Sequence, residues 1–217
     1  MGDPVLERVA AKLDRLGALD RGLAVFGATN HQYFSRPVAP AAVERLESYL
    51  GVGLPGPYRA FLLEVGAGAG PYHGLWSPEQ TLHELVSLVD GIVDEGEPAP
   101  RFDRPFPVDR AWGAAVGREM ATTGAAAADH PYPCDGAIPI ADQGCAYWSA
   151  LITVGDYAGT VWSVANAVGT EGIWAPGERP PGLLDRRVKL PPIPCPPTFL
   201  DWCEGWLDGC LHELGGA

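Results

Sequence analysis

Residues 51–70 read Gly-Val-Gly-Leu-Pro-Gly-Pro-Tyr-Arg-Ala-Phe-Leu-Leu-Glu-Val-Gly-Ala-Gly-Ala-Gly, a run that no single helix or strand can span. Upstream, Pro40 suits a first helical position, and Val43, Leu46, Tyr49 and Leu50 recur on one face. Gly51 and Gly53 break that helix, because glycine gives up the most backbone freedom on ordering. Leu54-Pro55 then launches a second short helix over about residues 56–65, carrying Tyr58, Phe61, Leu62 and Val65. It ends in the alternating run Gly66 to Gly70, which reads as a helix stop followed by a flexible turn.

The same reading carries along the chain. Val5, Leu6, Val9, Leu13 and Leu16 predict a helix over residues 4–16, ended by Gly17 and Gly22. A short strand is expected near Leu23 to Phe26. Ser77-Pro78-Glu79-Gln80 carries the signs of a capping box, and the helix behind it places Leu82, Leu85, Val86 and Val89 on one stripe. From Gly96 to Gly136 the texture turns to Pro, Gly and Ala, which predicts a long, partly mobile insertion with one helix near 110–121. Strands follow. Ala137 to Ile140 leads into the turn Asp142-Gln143-Gly144; Tyr147 to Val154 alternates with Trp148, Ala150, Ile152 and Val154 on one face. Thr160 to Ala165 returns as the second arm of a hairpin, with a further short strand near Gly172 to Trp174. After a proline-rich connector bearing Arg186, Arg187 and Lys189, Thr198 caps a last helix. Its apolar face is Phe199, Trp202, Cys203, Trp206, Leu207, Cys210, Leu211 and Leu214, and Asp201, Glu204 and Asp208 share the opposite, solvent side.

Charge narrows the partners. The chain carries 27 acidic against 15 basic residues, a net −12, and such a field repels phosphate backbones and anionic lipid. Nucleic acid and membrane surfaces are therefore excluded as direct partners; the charge would speed encounter with a basic protein, or serves solubility alone. Asp90, Asp94, Glu95 and Glu97 form one acidic cluster; Asp201, Glu204 and Asp208 form another. No stretch approaches the ~20 apolar residues of a membrane span. Five cysteines without a C-x-x-C pair, and no secretory leader, point to reduced thiols in the cytoplasm.

No motif with catalytic context emerges. Gly66 to Gly70 follows a helix and meets Pro71, whereas a dinucleotide loop lies between a strand and a helix. The five histidines are dispersed, and Cys210 with His212 makes the only close Cys/His pair, short of a four-ligand metal set. Cys145 has no basic neighbour in sequence to activate it. Neither a metal nor a cofactor is expected. Of the seven tryptophans, Trp148, Trp162, Trp202 and Trp206 fall on apolar faces, whereas Trp76 and Trp174 lie beside turns and are candidate interface anchors.

Four segments, in this order, resemble the SMI1/KNR4 family, also called the SUKH superfamily. They are Leu54-Pro55 with Tyr58 and Phe61; the strand and turn Pro139 to Cys145 with Gly144; the hairpin through Leu151, Gly155, Gly159, Val161 and Trp162; and the helix start Phe199-Leu200-Asp201-Trp202. The match spans roughly residues 40–210. The glycine run after the aromatic helix departs from the Asn-Gly or similar pair often found there. The resemblance implies an α+β fold, a mainly antiparallel sheet with helices packed against it. It implies one domain over 1–217, with 1–39 as an N-terminal extension and 96–136 as an insertion. It also implies a protein that binds other proteins and performs no chemistry. Bacterial members resemble immunity proteins encoded beside toxins, many of them nucleases; fungal members are regulators that scaffold signalling. The expected function is neutralisation of a cognate toxin, with recruitment of a partner as a scaffold the alternative; oligomeric state stays open.

Overall fold

The computed structural model describes residues 3–94, 96, 98–107, 135–165, 173–183 and 190–215. The elements in chain order are α1 (Pro4–Leu19), α2 (Ala28–His31), β1 (Ser35–Arg36), α3 (Pro40–Leu50), α4 (Gly56–Glu64), β2 (Ala67–Gly68), α5 (Pro78–Asp94), β3 (Ala137–Gly144), β4 (Tyr147–Ile152), β5 (Val161–Ala165), β6 (Ile173–Pro176) and α6 (Phe199–Glu213). This is an α+β fold. Strands β3 to β6 form an antiparallel meander, and β1 pairs with β2.

Local chemistry sets the helix ends. The Asp3 carboxylate accepts the Val5 N–H at 2.8 Å, with Pro4 in the first turn. Gly51 closes α3 in the left-handed region at φ 73°. Glu47 then holds the corner into α4: one of its carboxylate oxygens accepts the Leu54 N–H at 2.9 Å and Arg59 Nε at 3.2 Å. At α5 the capping box forms, with Ser77 N–H donating to Gln80 Oε1 at 3.0 Å and Gln80 N–H to Ser77 Oγ at 3.3 Å.

Several expectations need correction. Gly17 does not end α1; a Cβ there would lie 3.0 Å from Tyr33 Cβ, so the glycine admits a ring against the helix. No strand forms at Leu23 to Phe26, because the Asp20 carboxylate accepts the Ala24 and Val25 N–H groups and the Tyr33 hydroxyl. The glycine run is not a flexible turn: Ala69 and Gly70 are buried, and Gly68 bridges both Ser35 and Leu75. Leu75 in turn bridges Ala141, which joins the two-stranded sheet to β3.

The buried stripe of α5 is also rotated from its expected position. It runs through Pro78, Thr81, Leu85 and Ile92, and the Thr81 hydroxyl donates to the Pro139 carbonyl at 3.2 Å. Val86 is left 40% exposed, and on α3 Tyr49 is 41% exposed.

The sheet is covered on both faces. On one, Ile138, Ile140, Leu151 and Val161 join a core fed by α1, α3, α4, α5 and α6. Leu6, Val9, Leu13 and Leu16 of α1 belong to that core, so the leading residues are part of the packing. On the other face Ala150, Ile152, Trp162 and Val164 pack with Ile92 and Phe106. Phe106 meets Trp162 edge-on at 5.2 Å. The flanks of the expected insertion are thus pinned: Arg101 N–H donates to the Asp135 carboxylate, and Phe106 N–H to the Val154 carbonyl at 3.0 Å. The helix expected near 110–121 and the basic residues Arg186, Arg187 and Lys189 lie outside the described residues.

Candidate functional site

The two acidic clusters meet different fates. On α6 the expectation of an open solvent face is overturned, because α1 lies along it. Arg8 grips Glu204 with Nε and Nη2, the latter at 2.9 Å. Lys12 Nζ donates to Glu204 at 2.7 Å and also to Asp208. The Arg8 hydrogen bond, joined by Lys12, holds the Glu204 carboxyl down to about 2 against its burial. Asp201 is half-buried and accepts the Thr198 hydroxyl at the helix start. Glu204 and Asp208 fasten the N-terminal helix, while Asp201 serves the cap of its own helix.

A stability consequence follows with a definite sign. A carboxyl whose folded value lies below its unfolded one stabilises the fold above pH 4.5 and loses that contribution as pH falls toward 2. Glu204→Gln is expected to destabilise the protein by about 1 kcal/mol at pH 7, after discounting for solvent screening, and by little at pH 2. Urea midpoints at the two pH values check this. An unchanged midpoint at pH 7 would show that the α1 clamp contributes nothing.

On α5 the acids are open. Asp90 and Asp94 are exposed and make no ion pair among the described residues, while Glu95 and Glu97 lie outside them. Trp76 is half-buried; Trp174 lies in β6 opposite Val164, its side chain outside the described residues. Trp148 is only half-buried, whereas Trp162, Trp202 and Trp206 are core.

Three of the four sequence segments singled out above converge in space. Leu54, Tyr58 and Phe61 are buried, and Tyr58 and Phe61 stack edge-on against Phe199 at 4.8 and 5.1 Å. Phe199 N–H donates to the Gly159 carbonyl at 2.9 Å, and Thr160 bridges Thr198. Between them opens a groove of about 420 Å³ lined by Pro55, Tyr58, Thr153, Gly159, Thr198 and Leu200. These residues are packing joints that seat α4, the β4–β5 hairpin and α6 together. Gly144, at φ 84°, begins the two-residue turn in which Cys145 and Ala146 both adopt left-handed backbone.

The chemistry on offer is sparse. Among the described residues no group of three or more His, Cys, Asp or Glu side chains is arranged to hold a metal. Cys203 and Cys210 are buried free thiols whose ionisation burial pushes up, away from reactivity. Cys145 is exposed; the structure brings His73 under its turn, since a Cβ on Gly144 would lie 3.1 Å from His73 Nε2. No helix among the described residues is long and apolar enough to cross a membrane.

A model of the SMI1/KNR4 family (SUKH-1) matches residues 37–176, which leaves α1, α2, β1 and α6 outside its span. No curated protein and no solved structure matches the chain.

Proposed function

The chain belongs to the SMI1/KNR4 family (SUKH-1), and from that premise we propose that it is a non-catalytic protein-binding domain. Its role is that of a bacterial, cytoplasmic immunity protein, which covers the active site of a cognate basic toxin of nuclease type. The observation that carries this reading is the contrast between the two acidic clusters. On α6, Glu204 is paired with Arg8 and Lys12 and Asp208 with Lys12, whereas Asp90 and Asp94 have no cation of their own among the described residues. A toxin that grips phosphate must present a cationic cleft. A surface with unneutralised carboxylates is drawn to it, and the attraction speeds encounter more than it deepens affinity.

Affinity capture from the source organism, at low and then moderate salt, tests the reading. The expected result is one basic, nuclease-like protein released by salt, toxic when expressed alone and harmless when co-expressed with this chain. Recovery of a signalling assembly with no killing would instead support the scaffold alternative. With the toxin in hand, Asp90→Asn/Asp94→Asn is expected to slow association roughly threefold to tenfold at low salt and to flatten its salt dependence. An unchanged salt slope would remove these carboxylates from the interface.

A further inference from the structure

Large apolar side chains left in water are few among the described residues, and three of them gather on one face. Val86 and Val93 on α5 are 40% and 49% exposed, and Tyr49 on α3 is 41% exposed. Val86, Asp90 and Val93 are spaced four and three apart, so they form one stripe along the helix. Asp90 sits between the valines. Its charge reaches across to Tyr49, whose phenol is raised first by burial and then by that carboxylate. Valine is a weaker helix former than the charged or unbranched residues usual on a solvent face. Two valines about half in water therefore contribute less burial than enclosed ones, and less helix propensity than unbranched residues would.

The electrostatic setting selects what covers this stripe. α5 contains no Lys or Arg, and three cations of other segments are engaged elsewhere: Arg45 with Glu79, Arg59 with Glu47 and Arg101 with Asp103. Asp90 and Asp94 stay unneutralised beside an apolar surface. A second copy of the chain is a poor occupant, because a two-fold contact through this stripe would oppose each carboxylate to its own equivalent. A partner must bring apolar side chains flanked by positive charge.

We propose that the Tyr49–Val86–Asp90–Val93 face is the docking surface, and that its occupant is a segment of another protein with apolar side chains flanked by Lys or Arg. The inference rests on the protein-binding reading above and adds to it the face and the chemistry of the partner. Exposed apolar patches rimmed by polar groups mark such contacts, and the carboxylates would fix register and orientation.

The test uses the full chain with a photo-crosslinking side chain at position 86 and, separately, at the exposed Leu19 of α1. Each protein is incubated with lysate of the source organism at low salt. From position 86 the expected product is one partner, joined through a peptide that sets Lys or Arg beside apolar residues. In affinity capture without the crosslinker, Val86→Gln/Val93→Gln is expected to lower recovery of that partner at least tenfold while the thermal midpoint stays within a few degrees, since both side chains are about half exposed and glutamine is the better helix former. A partner captured equally by the double variant, or joined only from position 19, overturns the inference while leaving protein binding intact. Crosslinks to a second copy, or to an acidic peptide, overturn it too. Capture of no protein by the unsubstituted chain fails both readings together.

Discussion

Gly66→Ala is expected to leave little folded protein. At this position φ is +112°, outside the range that a residue with a side chain adopts without strain. An added Cβ would also lie 1.9 Å from the Arg36 carbonyl oxygen and 2.0 Å from its carbon. Both obstacles are backbone, so no rotamer change relieves them. The chain would have to part β1 from the exit of α4, where Arg36 pairs with Ala67 and the Ser35 hydroxyl donates to the Val65 carbonyl at 3.0 Å. Strain and clash together should remove about 4 kcal/mol or more, a large share of a typical stability of roughly 5–15 kcal/mol. Gly22→Ala is the contrast: a Cβ there would meet nothing within 4 Å, and the backbone is not left-handed. That change should stay within about 0.5 kcal/mol of neutral, or stabilise slightly through the unfolded chain. Soluble yield and thermal midpoints of the pair decide it. If Gly66→Ala melted within a few degrees of the unsubstituted protein, the close-packed role assigned to the glycine run would be wrong.

That run shows where local reading ends. Sequence pattern recognises what is decided within a few residues: the Ser77–Gln80 capping box, the Gly51 stop, the Thr198 cap and the β4–β5 hairpin all form as local chemistry dictates. Gly68 is different, because its partners are Phe34, Ser35 and Leu75, brought by other segments. Glu204 repeats the lesson. Helical periodicity places it opposite the apolar face of α6, but nothing nearby reveals that Arg8 and Lys12 arrive from α1 to neutralise it. The stripe of α5 escapes periodicity for a third reason. A buried threonine anchors it, and a hydroxyl that finds the Pro139 carbonyl is invisible to a count of apolar residues. The acidic half of the candidate face, Asp90 with Asp94, is therefore legible in the sequence, while Tyr49 and Val86 are hidden among apolar residues that pattern alone assigns to the core, and Val93 lies beyond the stripe that periodicity marks.

The second large effect concerns acid. His31 is 7% exposed; its Nδ1 accepts the Tyr33 N–H at 3.0 Å, and its Nε2 is buried without a partner among the described residues. The groups that face it offer no negative charge: the Tyr33 and Trp206 rings lie edge-on at 5.2 and 6.2 Å, and His73 adds a second imidazole. The carboxylate that Tyr33 contacts, Asp20, is already occupied by the Tyr33 hydroxyl and the Ala24 and Val25 N–H groups. Burial first, and His73 second, push the His31 imidazole down from 6.5 to about 4. Between those values the unfolded chain binds a proton that the folded one refuses. Stability is therefore full above pH 6.5 and falls as pH drops toward 4, by about 3 kcal/mol across the window. The carboxylate contribution of Glu204 is lost lower, below 4.5, so the two limbs separate. His31→Asn keeps an acceptor for the Tyr33 N–H but cannot titrate. Its unfolding free energy in urea should stay nearly flat from about pH 6.5 to 4.5, while the unsubstituted protein loses most of this contribution over the same range. Parallel slopes in the two proteins would show that the acid sensitivity arises elsewhere, and would leave the buried imidazole without a role in it.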